Sequence, residues 1–273
     1  MTKRIISGII GALFVVVSVV LNQTYPVLIT TLVALVGILC IYEIFSAIGI
    51  WTNFAVSIPS IVFALVFPFI GQGAMVLVFL YTIYIFCTMI FLGEKVTFKD
   101  ISVLYNMTLI VSFSLKSILI LKDFGGTKLG SFYIILSLAL PWIADTGAYF
   151  IGTFLGKHKL CPKISPKKTI EGAIGSITFG VASVFITYFV FDIILFKGQA
   201  TINYISVICL GLFGSILSIF GDLSFSFIKR SCNIKDFGNV IPGHGGMLDR
   251  FDSVIFVAPL IYFFTQIFPF INV

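Results

Sequence analysis

The chain holds 273 residues, of which 59% are hydrophobic and 10% charged, where a soluble domain runs at about 45–50% and about 25%. With a mean hydropathy of +1.15, it has too little polar surface to cover a water-exposed globule, which excludes an ordinary soluble enzyme or binding module and makes lipid its main solvent. The formal charge of +6, from 17 Lys and Arg against 11 Asp and Glu, does not run along a soluble basic face. A bulk nucleic-acid binder is thereby excluded, and membrane topology or the attraction of anionic headgroups and nucleotides remains as its use.

Nine apolar stretches follow one another, near residues 5–21, 27–48, 54–71, 74–92, 101–121, 131–155, 172–195, 203–227 and 251–271. Each approaches the length of a membrane-crossing helix. The fold class expected is therefore all-α, a polytopic integral membrane protein of about nine spans in a single domain, 1–273, with N-terminal spans over about 1–125 and a polar-bearing C-terminal part over about 131–273. The first stretch, Met1 to Leu21, imitates a signal peptide but lacks a clear small-residue cleavage site, so it reads as a span. Pro141 and Asp145 in the sixth stretch predict a kink or break there. Five cysteines without C-x-x-C spacing, Cys40, Cys87, Cys161, Cys209 and Cys232, read as small buried residues rather than a disulfide or zinc framework.

Basic residues orient this arrangement. The N-terminus and the even-numbered loops carry thirteen Lys and Arg, the odd loops only Lys122, Lys128 and Lys197, and Lys116 lies inside a span. The positive-inside bias puts the even loops in the cytoplasm. Two of them, 156–171 and 228–250, share that face and hold most of the purposeful polar residues.

Asp145 and Asp222 lie in apolar runs, where an ionised Asp costs about 2.5–3.5 kcal/mol on insertion scales and normally faces a protein interior or wet cavity. Asp249 and Asp252 stand at the start of the last span. Structural uses are open to them: Asp252 could cap the last helix, and Asp145 could pair with a Lys. Hard cations prefer carboxylate oxygens, and Mg²⁺ takes one or two carboxylates together with substrate phosphates; Asp222 and Asp249 could supply those. In Ser165–Gly172, Lys167 and Lys168 precede a helix start where Thr169 could act as the cap and free N–H groups favour an anion. The turn Pro242-Gly243-His244-Gly245-Gly246 permits close backbone approach to a ligand and an anion-binding nest, with Lys229, Arg230, Lys235 and Arg250 near it. His244 can bind phosphate, act as acid or base, or simply hydrogen-bond within its loop. Glu43, Lys116 and Asp192 lie in or near spans without an evident partner. These residues predict polyphosphate binding or phosphoryl chemistry at a lipid interface and do not select a nucleotide.

The stretch Ser226 to Asp252 resembles the signature of the phosphatidate cytidylyltransferase family. Ser226, Ile228, Lys229, Arg230, Lys235, Asp236, Gly238, Ile241, Pro242, His244, Gly245, Gly246, Met247, Asp249, Arg250, Phe251 and Asp252 meet it without departure. The Asp145-Thr146 pair and the Ser165–Gly172 segment also look like this family, so the resemblance covers roughly the C-terminal half. It implies an all-helical membrane enzyme converting CTP and phosphatidic acid to CDP-diacylglycerol and pyrophosphate with Mg²⁺, a possible second, monovalent cation, and a possible homodimer. By matching position it implies catalytic roles for Asp222, Asp249, Lys229, Arg250 and His244. Substrate contacts fall on Ser165, Lys167, Lys168, Thr169, Arg230, Lys235, Gly245 and Gly246, and metal contacts on Asp222, Asp249 and Asp145. The expected location is a cell membrane, of the bacterial plasma-membrane kind, with the site facing the cytoplasm. Other classes stay open beside it: a related CTP-using lipid or polyprenol kinase or cytidylyltransferase, a transporter or channel for anionic metabolites (although no internal repeat is visible), and a membrane scaffold.

Overall fold

The structure, a computed structural model, describes residues 2–92, 97–240 and 245–272, and the side chains of residue 8 and of 10 onward within those ranges. Its helices are α1 (Thr2–Leu21), α2 (Val27–Ile48), α3 (Phe54–Val66), α4 (Ala74–Leu92), α5 (Phe98–Asp123), α6 (Gly126–Phe154), α7 (Ile170–Phe191), α8 (Tyr204–Ser231), α9 (Leu248–Phe251) and α10 (Val254–Ile267). Two small antiparallel pairs complete it: β1 (Lys159–Cys161) with β2 (Ser165–Thr169), and β3 (Thr201–Ile202) with β4 (Ile271–Asn272).

All nine apolar stretches are helical, and seven are long and apolar enough to cross a membrane. The first and third are shorter as apolar helices, Ile10–Leu21 and Phe54–Phe69. The third ends in a single 3₁₀ turn, Phe67–Phe69, that contains Pro68. Lys116 answers that end: its Nζ donates to the carbonyls of Phe67 and Ile70 and sits 4.3 Å from the Phe67 ring centroid. This supplies the partner that Lys116 lacked in sequence, and a membrane-embedded ammonium group satisfies carbonyls a broken helix would otherwise leave open. The expected break at Pro141 is absent, since α6 runs unbroken through it. All five cysteines are free, but only Cys40 is fully buried, and Cys87 is exposed.

Side-chain caps define several helix starts. Thr97 accepts from Asp100 N at 3.2 Å, and Asn203 Oδ1 accepts from Ile205 N and Ser206 N at 3.1 and 3.2 Å. Gly49, at φ 81°, closes α2 in the left-handed conformation that glycine adopts without strain.

The interior has two apolar clusters. One gathers Ile41, Ile44, Phe45, Phe63 and Phe67 from the N-terminal helices and reaches Leu248, Val254 and Ala258. The other joins Phe132, Leu136 and Leu140 of α6 to Val184, Leu210 and Ile261.

Candidate active site

Helices α6, α7 and α8 meet at glycines. A Cβ on Gly147 would stand 2.4 Å from Phe179 Cβ, one on Gly175 2.6 Å from Ile151 Cβ, and one on Gly211 2.5 Å from Val181 Cα. Small residues allow such close approach, and packing of this kind holds helices together in lipid, where the hydrophobic effect between them is lost. Gly221 does the same toward the last span, where a Cβ would lie 2.7 Å from the Asp252 carbonyl oxygen.

This packing brings distant carboxylates together. Asp145 on α6 accepts from the hydroxyls of Ser218 on α8 at 3.1 Å and Ser253 at 3.2 Å. Asp222, one turn further along α8 than Ser218, accepts from Ser226 Oγ at 3.2 Å and pairs with Lys168 Nζ at 2.5 Å. Asp252, at the junction of α9 and α10, accepts from Ser253 N at 2.7 Å. Asp145, Asp222 and Asp252 stand within Coulombic reach of one another.

Lys168 reaches this cluster because the expected basic loop is a hairpin. Its strands pair Lys159 with Thr169 and Cys161 with Ser165. Thr169 caps α7 as predicted, accepting from Gly172 N at 3.1 Å. Glu171 fastens the root of the hairpin, accepting from Lys157 N and His158 N at 3.1 and 3.2 Å and lying 2.7 Å from His158 Nδ1. Ser165 opens β2, and Lys167 is exposed on it.

The second basic segment wraps a different carboxylate. Asp249 Oδ1 takes Lys229 Nζ at 2.7 Å, while Oδ2 accepts from Phe237 N at 2.9 Å and Gly246 N at 3.0 Å. Gly245, at φ 86°, lets the chain turn there. Both Asp249 and Lys229 are buried. Arg250 is exposed, with its carbonyl accepting from Trp142 Nε1 at 3.1 Å. Arg230 folds back on the carbonyl of Ile234 at 3.2 Å, and Lys235 is exposed, so neither joins the carboxylates. His244, with Ile241, Pro242 and Gly243, lies outside the described residues.

Sequence reading missed Glu43 as a neighbour of this segment. Its two oxygens accept from Met247 N at 2.9 Å and Leu248 N at 2.8 Å. The one available signal was a charged residue inside an apolar span. Nothing local marked Ser218 or Ser253. Asp192 remains without a hydrogen-bond partner at Oδ1.

These groups bear on a metal ion in two ways. Among the described residues no cluster of three His, Cys, Asp or Glu side chains forms a ready-made cage. Yet four carboxylates, Asp145, Asp222, Asp249 and Asp252, face only two ammonium groups, Lys168 and Lys229, which leaves a formal excess of two negative charges. One hard divalent cation held by one or two carboxylates and completed by substrate phosphates fits that excess. The expected pairing of Asp222 with Asp249 fits less well, because Asp249 is buried and holds three protein donors, two of them backbone amides, whereas the side chain of Asp222 is 29% exposed.

An apolar cavity of about 940 Å³ runs beside the site between α1, α2, α5 and α6. Val15, Val33, Leu115 and Leu138 contribute to its walls, and Asp145, Thr146 and Arg250 line it toward the C-terminal end of α6.

Comparison with known proteins gives the chain its relatives. Over 139 residues the chain is 45% identical to a protein of Bacillus subtilis (strain 168) named phosphatidate cytidylyltransferase, covering 51% of this chain and 49% of that one. It is 43% identical over 132 residues to a protein of the same name from Staphylococcus haemolyticus (strain JCSC1435), covering 48% of each. These matches span about half the length of the curated relatives. The model of the cytidylyltransferase family matches residues 2–268, almost the whole chain. A basic hairpin and a glycine turn gathered over membrane-embedded carboxylates therefore have a family context, and the chain belongs to the cytidylyltransferase family.

Proposed function

We propose that this chain transfers the cytidylyl group of CTP to the phosphate of phosphatidic acid, forming CDP-diacylglycerol and pyrophosphate at the cytoplasmic face of a membrane. The observation that carries this reading is the meeting of Lys168, Asp222, Asp145 and Asp252 beside an apolar cavity lined by Asp145 and Arg250. A polyphosphate and an acyl lipid both find complementary surface there, and the names carried by the half-length relatives support phosphatidate as the acceptor.

In this mechanism an oxygen of the phosphatidate phosphate attacks the α-phosphorus of CTP in line. A new P–O bond forms, the bond from the α-phosphorus to the bridging oxygen breaks, and pyrophosphate leaves. The nucleophile is already an anion, so no side chain need activate it. Lys168, held by Asp222, presents its charge to the polyphosphate, and exposed Lys167, Arg230, Lys235 and Arg250 offset repulsion between the two anionic substrates. The hydroxyl of Ser165 and the backbone amide of Gly245 add polar contacts to those oxygens. The acyl chains remain in the apolar cavity, which orients the headgroup toward the nucleotide.

Asp222, with Asp145 or Asp252 beside it, would hold Mg²⁺, which when bound supplies neutralisation of charge on the phosphates and the leaving group. Asp249 then acts by ordering Lys229 and the glycine turn. The test uses purified protein in mixed micelles with phosphatidate, Mg²⁺ and CTP labelled on the α-phosphate. Label is expected in the lipid phase and is abolished by a chelator. Label passing to a polyprenol or another alcohol instead would overturn the acceptor, and transport of anions without turnover would overturn the reaction. Mn²⁺ binding separates the carboxylates: Asp222→Asn weakens it and Asp249→Asn does not. Loss of Mn²⁺ binding in Asp249→Asn would return Asp249 to the metal set.

A further inference from the structure

Glu43 lies near the end of α2, is 1% exposed, and has no Lys, Arg or His in ion-pair reach among the described residues. A buried carboxylate without a cation is costly unless its oxygens are hydrogen-bonded. Here both are, each by one of two successive backbone amides, Met247 N and Leu248 N, more than 200 residues away. Three consecutive N–H groups are thus shared between two acids, since Gly246 N goes to Asp249. The chain closes tightly around Glu43. A Cβ on Gly246 would stand 2.4 Å from one carboxylate oxygen, and one on Gly238 2.6 Å from the other. Two glycines of the C-terminal signature segment are therefore shaped around a residue of the N-terminal half.

We propose that Glu43 is a positioning residue of the site: by holding the Met247 and Leu248 amides it sets the direction in which Asp249, Arg250 and Asp252 leave the glycine turn. The proposal rests on the cytidylyl-transfer reading above. A group that acts through the backbone it holds is expected to affect turnover and not nucleotide capture, because the hairpin that carries Lys167 and Lys168 is fastened separately, at Thr169 and Glu171. A glutamine cannot replace the acid, since its NH₂ would face an amide N–H.

Glu43→Gln in the full-length protein tests this, with label transfer and hydrogen–deuterium exchange read on the same preparation. Expected are a fall in kcat of about 10–100-fold, little change in KM for CTP, and faster exchange at residues 246–249 with unchanged exchange at 165–172. Leu35→Ala, on the exposed side of the same helix, leaves all of these at wild-type values. Unchanged exchange at 246–249 overturns the proposal, and so does faster exchange with wild-type kcat, which makes the contact structural only. Should Glu43→Gln not fold, Glu43→Asp carries the test. It keeps the charge and both oxygens but is one methylene shorter, and wild-type kcat with it overturns the proposal. A wild-type protein that turns over no phosphatidate fails the substrate reading instead, and the exchange arm still shows whether Glu43 holds the turn.

Discussion

The two halves of the molecule are both built of apolar helices, yet they are packed on different principles. Helices α1–α5 meet through large side chains, with Ile41, Ile44, Phe45, Phe63 and Phe67 filling their shared interior. Helices α6–α8 meet at glycines, where no side chain separates the backbones. The polar chemistry follows that division. Where backbones approach closely, short side chains from different helices, such as Asp145 on α6 and Ser218 on α8, can touch. Where bulky side chains fill the space between helices, the polar pairs are uncharged, as Ser60 with Tyr81 and Thr82 with Tyr105, and Glu43 and Lys116 reach backbone instead. The difference teaches that in lipid, separation between helices decides whether embedded charges form a site.

That division can be broken experimentally. The largest effect is expected from truncating the N-terminal core. Phe45→Ala, at a fully buried position, should cost about 3–5 kcal/mol of stability while the surviving folded fraction keeps its affinity for CTP. A matched loss of affinity would mean the first half shapes the nucleotide site directly. Next comes the polar cluster: Asp222→Asn should lower kcat by about 10²–10³-fold, with thermal stability near wild type, and an active variant would remove Asp222 from the chemistry. A smaller effect is expected from Gly211→Ala, which should cost about 1–3 kcal/mol by overpacking against the Val181 backbone. The smallest is expected on α4, where Phe86→Leu, at a position 59% exposed, should change stability by no more than about 0.5 kcal/mol. Equal sensitivity at the two places would contradict the division drawn between the halves.

Much of the fold was legible in the residues. Nine apolar stretches become helices because a chain in lipid must satisfy its backbone within each segment, and apolar runs of that length are local features. The cap at Thr169 was equally local, since a threonine accepting from an amide three residues on needs nothing else. The hairpin Lys159–Thr169 was less legible, because alternating lysines and prolines describe a solvated loop as well as a paired strand. The unbroken course of α6 through Pro141 was not legible either, since neighbouring helices can support a proline that would interrupt an isolated helix.

The amino-acid sequence alone determined that this chain lives in a membrane, where its helices run, and which two segments gather its polar residues, because each depends on composition or on spacing within a few residues. Only the tertiary structure decided how the charges are paired. Lys168 meets Asp222, Lys229 meets Asp249, and Glu43 meets the amides of Met247 and Leu248. Those partners are chosen by how closely α6, α7 and α8 approach and by where the glycine turn folds, and such distances arise from packing among residues far apart in the chain, which no local pattern records.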